Sequence, residues 1–213
     1  MLPSVRVAVL LPCYNEEAAI TQTIAGFHAA LPGATVYVYD NNSRDDTIAV
    51  ARAAGAVVRC ERIQGKGAVV RRMFADIDAD VYVMADGDAT YDATSAPGLV
   101  ARLLDEQLDM IVGARVHKTA EAYRRGHRFG NALLTGMLAR LFGRSFTDIL
   151  SGYRVFSRRF VKSFPSLSAG FEIETEISVH ALELKIKIRI LAPRTSAFMI
   201  STRCCSPAER SPT

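Results

Sequence analysis

Short apolar runs recur at regular intervals along the first half of the chain. Val5 to Leu11, Val36 to Asp40, Ala56 to Arg59, Val81 to Ala85 and Met110 to Ala114 are mostly aliphatic, and most are rich in Val. Runs of that length and composition predict buried strands. Between them, Glu16 to Ala30, Asp45 to Ala54, Lys66 to Asp78 and Ser95 to Gln107 have a helical pattern. Strands alternating with helices predict βαβ units and an α/β fold with a mostly parallel, Rossmann-like sheet. Ser43 and Asp46 approximate a capping box ahead of the second helix, and Gly55 stands where that helix ends. After Ala114 the alternation stops. Phe129, Leu133, Met137 and Leu141, spaced by four with Leu134 and Leu138 beside them, predict an amphipathic helix with a wide apolar stripe.

The end of the chain changes character. From Lys185 onward the only acidic residue is Glu209, Cys204 and Cys205 are adjacent, and the last residues are polar and turn-like. The expectation is one domain over residues 1–190 and an atypical, poorly ordered tail over 191–213. No apolar run approaches the roughly 18 to 20 residues of a spanning helix, so membrane contact is expected to be peripheral. The opening run is followed at once by Asn15, Glu16 and Glu17 and reads as a first strand, not a signal peptide. Cys13, Cys60, Cys204 and Cys205 contain no CxxC pair, which fits thiols in a reducing, cytoplasmic compartment.

Composition places the chain among globular proteins, and charge distribution adds more. The net charge of +4 hides a division. Residues 1–114 carry 9 basic and 15 acidic side chains, whereas residues 115–162 carry 11 basic ones against Glu121 and Asp148. An acidic half followed by a basic stretch points to a cation site beside a surface for an anionic partner. The acidic half would repel a nucleic-acid backbone, which leaves phosphorylated substrates and lipid head groups ahead. A solvated basic face over a core helix accounts for the same pattern.

In an open parallel sheet, ligands bind beyond the carboxyl ends of the strands. Those positions are polar here: Pro12-Cys13-Tyr14-Asn15-Glu16, Asp40-Asn41-Asn42-Ser43 and Asp86-Gly87-Asp88. Two carboxylates separated by one small residue can share Mg²⁺ or Mn²⁺, with phosphate oxygens completing the shell. A turn in which Asp86 and Asp88 cap the next segment is the alternative. Asp40 could accept from a ribose hydroxyl or a base N–H, or could form an Asx-turn feeding Ser43. Gly65-Lys66-Gly67 lacks the spacing of a phosphate loop and reads as a flexed helix start whose Lys66 can approach a phosphate. Arg124, Arg125 and Arg128, with Arg154, Arg158 and Arg159, are suited to phosphate or a lipid surface.

Together these motifs resemble the family 2 glycosyltransferases, and among them the polyprenyl-phosphate sugar transferases similar to dolichyl-phosphate mannosyltransferase. The resemblance runs from Val5 to about Leu184 and also includes Val112-Gly113-Ala114-Arg115 and Thr147 to Arg154. It implies a GT-A fold. Pro12, Tyr14, Asn15, Glu16 and Asp40 would hold base and ribose, with Lys66 and Asp86 on the donor's phosphates. Asp86 and Asp88 would bring Mg²⁺ or Mn²⁺ to the diphosphate, and Arg115 would stand near the phosphates. Gly170 to Glu174 matches an element near the acceptor side. Thr90 stands where many relatives carry Gln, which removes a third protein ligand. Residues 185–213 depart from the family's closing strand and loop, and the resemblance implies a truncated or frameshifted end.

The implied reaction moves a sugar from a nucleotide-sugar donor to a lipid-phosphate acceptor at the inner membrane face. Asp88 and Arg115 would stabilise the leaving diphosphate. Arg124, Arg128, Ser151 and Arg154 would hold the acceptor phosphate. An ionised lipid phosphate needs no strong base, so Asp148 would orient groups; for a saccharide hydroxyl, Asp148 is the first candidate base. A nucleotidyltransferase is disfavoured because PCYNEE lacks a Gly- and Arg-rich loop. A non-catalytic or inactive nucleotide-sugar binder stands as the alternative if the closing loop is absent.

Overall fold

The computed structural model describes residues 5–113, 151–165, 168, 170, 172–183 and 188–191. Its strands are β1 (Val7–Cys13), β2 (Thr35–Asp40), β3 (Val57–Cys60), β4 (Val81–Met84), β5 (Met110–Gly113), β6 (Arg154–Ser157) and β7 (Ile188–Leu191). The helices are α1 (Ile20–Ala30), α2 (Thr47–Ala53), α3 (Lys66–Asp76), α4 (Ala96–Asp105), α5 (Arg158–Ser163) and α6 (Ile173–Glu183). The strands form one sheet in the order β3-β2-β1-β4-β6-β5-β7. All pairings are parallel except those of β6, which runs antiparallel to both β4 and β5.

That order decides where a ligand can sit. From β1 the chain steps outward to β2 and β3, then returns to the other side of β1 as β4. The loops after β1 and β4 lead to α1 and α4 on one face of the sheet and meet at the switch point, where a ligand can sit in a crevice beyond the strands' carboxyl ends. Pro12 marks the opening. The β1–β4 register ends at Leu10 and Met84, so a residue without an N–H costs that ladder nothing at position 12. Because β6 is reversed, it begins at this same edge, with Arg154 paired to Met84 and Val112.

Alternation along each strand sorts the core into two layers. Val9 and Leu11 of β1 and Val81 and Val83 of β4 face α1 and α4, packing with Ile20, Ile24, Phe27, Leu99 and Leu103. Ala8, Leu10, Tyr82 and Met84 face the other way, against Val70, Met73 and Phe74 of α3 and Phe160 and Ile177 of α5 and α6. Burial on both faces is why these strands read as continuous apolar runs.

Gly55 ends α2 as expected. Its φ of 90° is left-handed, and Gly55 N–H donates to Arg52 O at 3.0 Å while Ala56 N–H donates to Ala51 O at 3.2 Å. That pair of bonds is a Schellman motif. The capping box does not form. Helix α2 begins at Thr47 with no side-chain cap, and Ser43 Oγ instead accepts from Asn15 N–H at 2.9 Å. A strand was not expected at 188–191, yet β7 pairs in parallel with β5 there. Residues 192–213 and the predicted amphipathic helix over 129–141 lie outside the described residues.

Candidate functional site

The loops after β1 and β2 are locked to each other. Asn15 (φ 56°) and Asn42 (φ 65°) adopt the left-handed conformation that Asn tolerates better than most residues. Arg44 N–H donates to Asn15 Oδ1 at 2.8 Å, and Glu16 N–H donates to Thr47 Oγ1 at 2.8 Å. Glu17 and Asp45 exchange similar bonds, with Asp46 N–H to Glu17 Oε2 at 3.1 Å and Glu17 N–H to Asp45 Oδ2 at 3.2 Å. Backbone donors that a turn would otherwise leave to solvent are thus satisfied across the two loops. Pro12 is half-buried beneath this pair, Tyr14 is 47% exposed, and Glu16 is partly covered.

Asp40 ends β2 buried, with one carboxylate oxygen used and one not. Oδ2 accepts from Ser43 N–H at 3.1 Å, which is the Asx-turn reading. Oδ1 is buried and has no hydrogen-bond partner among the described residues. A buried carboxylate oxygen without a donor is costly and therefore marks a place for an incoming N–H or O–H. Beside it, Asn41 Nδ2 donates to Glu61 O and Ile63 O, both at 2.9 Å, and Asn41 Oδ1 accepts from Gly65 N–H at 2.7 Å. Those bonds hold the 61–65 loop against the strand ends and set up the start of α3. Gly65 has φ 127°, a conformation open to glycine and strained for other residues.

The Asp86-Gly87-Asp88 turn follows β4 directly. Gly87 is not left-handed; its requirement is space. A Cβ at position 87 would lie 2.6 Å from Cys13 Sγ and 3.3 Å from Ile20 Cδ1. Gly87→Ala should therefore cost about 1–3 kcal/mol through overpacking. Cys13→Ala in the same chain should recover most of that loss, because the clashing sulfur is gone. Thermal unfolding of the two single variants and the double variant checks this, and additive losses would refute it.

Lys66, the first residue of α3, reaches across the crevice. Its Nζ lies 2.6 Å from Asp86 Oδ1 and 2.6 Å from Glu174 Oε1 of α6. Burial pulls the Lys66 ammonium down, but Asp86 and Glu174 outweigh it and hold the group above its ordinary value. Gly152 leaves room for the other Asp86 oxygen, since a Cβ there would meet Oδ2 at 2.6 Å. Glu174 was expected only as part of an acceptor-side element. Its partner is 108 residues away, a distance that no local pattern spans.

Arg154 and Ser151, expected on the acceptor phosphate, lie in the interior. Both are wholly buried. The Arg154 guanidinium donates to Ser151 O at 2.9 Å, Glu174 O at 3.0 Å and Ser178 Oγ at 3.1 Å. The Ser151 hydroxyl donates to Gly113 O at 2.5 Å and accepts from Tyr153 N–H. These bonds tie β6 to β5 and α6. Other cations of the basic stretch lie at the opposite sheet edge. Arg158 pairs with Asp78, Arg159 Nε donates to Asp109 Oδ1 at 2.9 Å, and Lys162 Nζ donates to Phe74 O and Ile77 O at the end of α3. Arg115, Arg124, Arg128 and Asp148 lie outside the described residues.

The crevice itself is strongly negative. Burial, then Asp88, Asp86 and Asp45, push the Glu16 carboxyl above its usual range. Burial, followed by Glu16, Asp40, Asp86 and Asp88, raises the Cys13 thiol well above the ordinary value, so it stays protonated and inert. Asp88 is exposed, and its Oδ1 accepts from Thr90 N–H at 3.0 Å. Among the described residues no group of three His, Cys, Asp or Glu side chains converges as a metal cage. Two hard oxygen donors in a negative field still fit Mg²⁺ or Mn²⁺, which commonly take one or two carboxylates and fill the shell with phosphate and water. No helix among the described residues is long and apolar enough to cross a membrane.

Known proteins with the same sequence features bear on this edge. Protein RfbJ of Shigella flexneri is 52% identical over 129 residues, covering 60% of this chain and 100% of that one. Glycosyltransferase AglJ of Haloferax volcanii is 37% identical over 187 residues, covering 87% of this chain, which spans 61% of AglJ. A dolichyl-phosphate hexose transferase of the same archaeon is 32% identical over 151 residues, 71% of this chain and 66% of the relative. Among solved structures, glucosyl-3-phosphoglycerate synthase from Mycobacterium tuberculosis, in complex with Mn²⁺, UDP-glucose and phosphoglyceric acid, superimposes with a TM-score of 0.73. It is 26% identical, and the match covers 89% of this chain and 70% of the synthase. Residues 8–164 match the profile of glycosyl transferase family 2. Sheet order, the polar strand ends and these matches agree: the chain belongs to glycosyl transferase family 2 and has the GT-A fold.

Proposed function

We propose that this chain transfers a sugar from a nucleoside-diphosphate sugar to a polyprenyl phosphate at a membrane face, with Mg²⁺ or Mn²⁺ at Asp86 and Asp88. The observation that carries the reading is the meeting, at one sheet edge, of the unpartnered Asp40 Oδ1 and the paired carboxylates of Asp86 and Asp88. One end offers an acceptor for a base N–H or ribose hydroxyl, the other a seat for the diphosphate's counter-ion.

Roles for the chain's own residues follow from that layout. Asp40 Oδ1 takes a hydrogen bond from the nucleoside, and the locked loops bearing Tyr14, Asn15 and Glu16 form the wall beside it. When bound, the divalent ion supplies electrostatic stabilisation of the charge that grows on the departing diphosphate. Asp86 and Asp88 hold its position, and Arg115 adds a second positive charge toward the phosphates. A phosphomonoester with a second pKa of about 6 is largely ionised at neutral pH, so the acceptor attacks without a strong base. Asp148 then orients groups. Arg124 and Arg128 take the acceptor phosphate. Support for a lipid acceptor comes from the basic balance of residues 115–162 and from the name of the dolichyl-phosphate relative.

Isothermal titration with UDP-glucose and GDP-mannose, each with Mn²⁺ or chelator, tests donor binding. One donor should bind in a metal-dependent way, and Asp40→Ala should weaken it about tenfold or more, the loss of one hydrogen bond to a charged group. Unchanged affinity in that variant removes Asp40 from the nucleoside site. Transfer of labelled sugar to polyprenyl phosphate in vesicles, set against transfer to 3-phosphoglycerate, tests the acceptor. Product on the soluble phosphate alone would overturn the lipid assignment.

A further inference from the structure

Lys66 occupies an oxygen that the proposed metal site needs. Its Nζ is 2.6 Å from Asp86 Oδ1, with Lys66 and Asp86 side chains 12% and 26% exposed. The same ammonium is 2.6 Å from Glu174 Oε1, whose side chain is 11% exposed. One cation thus serves two largely covered carboxylates. Glu174 is also anchored from behind. Its main-chain oxygen accepts from the buried Arg154 at 3.0 Å and from Ser178 Oγ at 2.8 Å.

We propose that Lys66 is the resident cation of Asp86, held within reach by Glu174, and that it competes with the divalent ion for that carboxylate. The proposal rests on the reading of Asp86 and Asp88 as the metal site. The second carboxylate has a physical purpose in it. If Asp86 turned to an incoming ion and Lys66 had no other partner, a buried ammonium would be left uncompensated, which is strongly unfavourable. Glu174 retains the ammonium through the exchange, so Asp86 is released at small cost. Glu174 is a positioning residue: it acts on the metal site through Lys66.

The proposal fixes opposite signs for two substitutions. Removing the Lys66 charge deletes a competitor a few ångströms from the divalent ion, so Lys66→Met should tighten Mn²⁺ binding about tenfold in the absence of nucleotide. Removing the Glu174 charge leaves Lys66 committed to Asp86, so Glu174→Gln should weaken Mn²⁺ binding severalfold. A purely packing role would weaken binding, or leave it alone, in both variants.

The test is Mn²⁺ titration of the full chain without nucleotide, following free Mn²⁺ by electron paramagnetic resonance, with folding checked by circular dichroism. Tighter binding in Lys66→Met and weaker binding in Glu174→Gln support the exchange. Weaker or unchanged binding in a folded Lys66→Met overturns it while leaving the metal site in place, provided Asp88→Asn loses binding. If the parent chain binds no Mn²⁺, or Asp88→Asn binds as well as the parent, the metal reading falls and takes this proposal with it. Should Lys66→Met fail to fold, Glu174→Gln decides the matter: unchanged or tighter binding there overturns the proposal.

Discussion

Asp88→Asn should lower the rate of sugar transfer by about 10³-fold while leaving the folded state intact, as expected when a group holding the charge-stabilising ion is neutralised. Asp88 is exposed, and its Oδ1 accepts from Thr90 N–H, a bond that an Asn carbonyl can still accept. The fold therefore loses little, and the thermal midpoint should move by no more than roughly 2 °C, the scale of a surface substitution. What is lost is one full negative charge and one hard oxygen donor. Initial rates at saturating donor, with Mn²⁺ varied, make the measurement. Raising Mn²⁺ should recover part of the rate, since the substitution weakens occupancy as well as geometry. A variant that turns over within tenfold of the parent would remove Asp88 from the reaction. The Lys66 substitutions proposed above would move Mn²⁺ affinity through a neighbour; under the proposed reading Asp88 is itself a ligand, so its loss should not be offset by deleting a competing cation.

The outline of the fold was legible because both faces of β1, β2 and β4 are buried, which writes itself as Val-rich runs between helices. The strand-end motifs were legible for the same reason: a polar group directly after a buried strand stands out. Asp40 shows where such reading stops. The residue type allowed an Asx-turn or a ligand contact, and the structure shows that its two oxygens divide, one in the turn and one left over. Ser43 misled because a helix cap and a bond to a neighbouring loop use the same hydroxyl, and only the fold brings Asn15 N–H to it.

The basic stretch was harder to read. Charge in a sequence does not say which edge of a sheet it will occupy, and a strand reversal carries the residues that directly follow it to the opposite end. Strand β6 does so: it starts at Arg154, just after Gly152 passes Asp86, and ends at Ser157, which puts Arg158 and Arg159 among Asp78, Asp80 and Asp109. The only local hint about Arg154 is its company, since Tyr153, Val155 and Phe156 all belong in a core. For Glu174 the resemblance implied only an acceptor-side element and gave no hint of its ion pair, which depends on Lys66 arriving from the far side of the chain.

Arg154→Ala should destabilise the protein by about 3–5 kcal/mol, the range for breaking a buried, hydrogen-bonded charge. The substitution leaves Ser151 O, Glu174 O and Ser178 Oγ without the donor they share, and opens a cavity between β6 and α6. For a chain of this size that corresponds to a fall in Tm of roughly 6–20 °C. Arg154→Lys should rescue little, because a single ammonium cannot reproduce the planar fork that reaches several acceptors. The same experiment separates the interior role from the acceptor role that the sequence implied. If Arg154 gripped the acceptor, Tm would hold and the acceptor KM would rise. With the guanidinium sealed behind Glu174, the expected pattern is the reverse: a large loss of stability, an acceptor KM near the parent value at temperatures where the variant is folded, and weakened Mn²⁺ binding as the first turn of α6 loosens its hold on Glu174 and, through it, on Lys66.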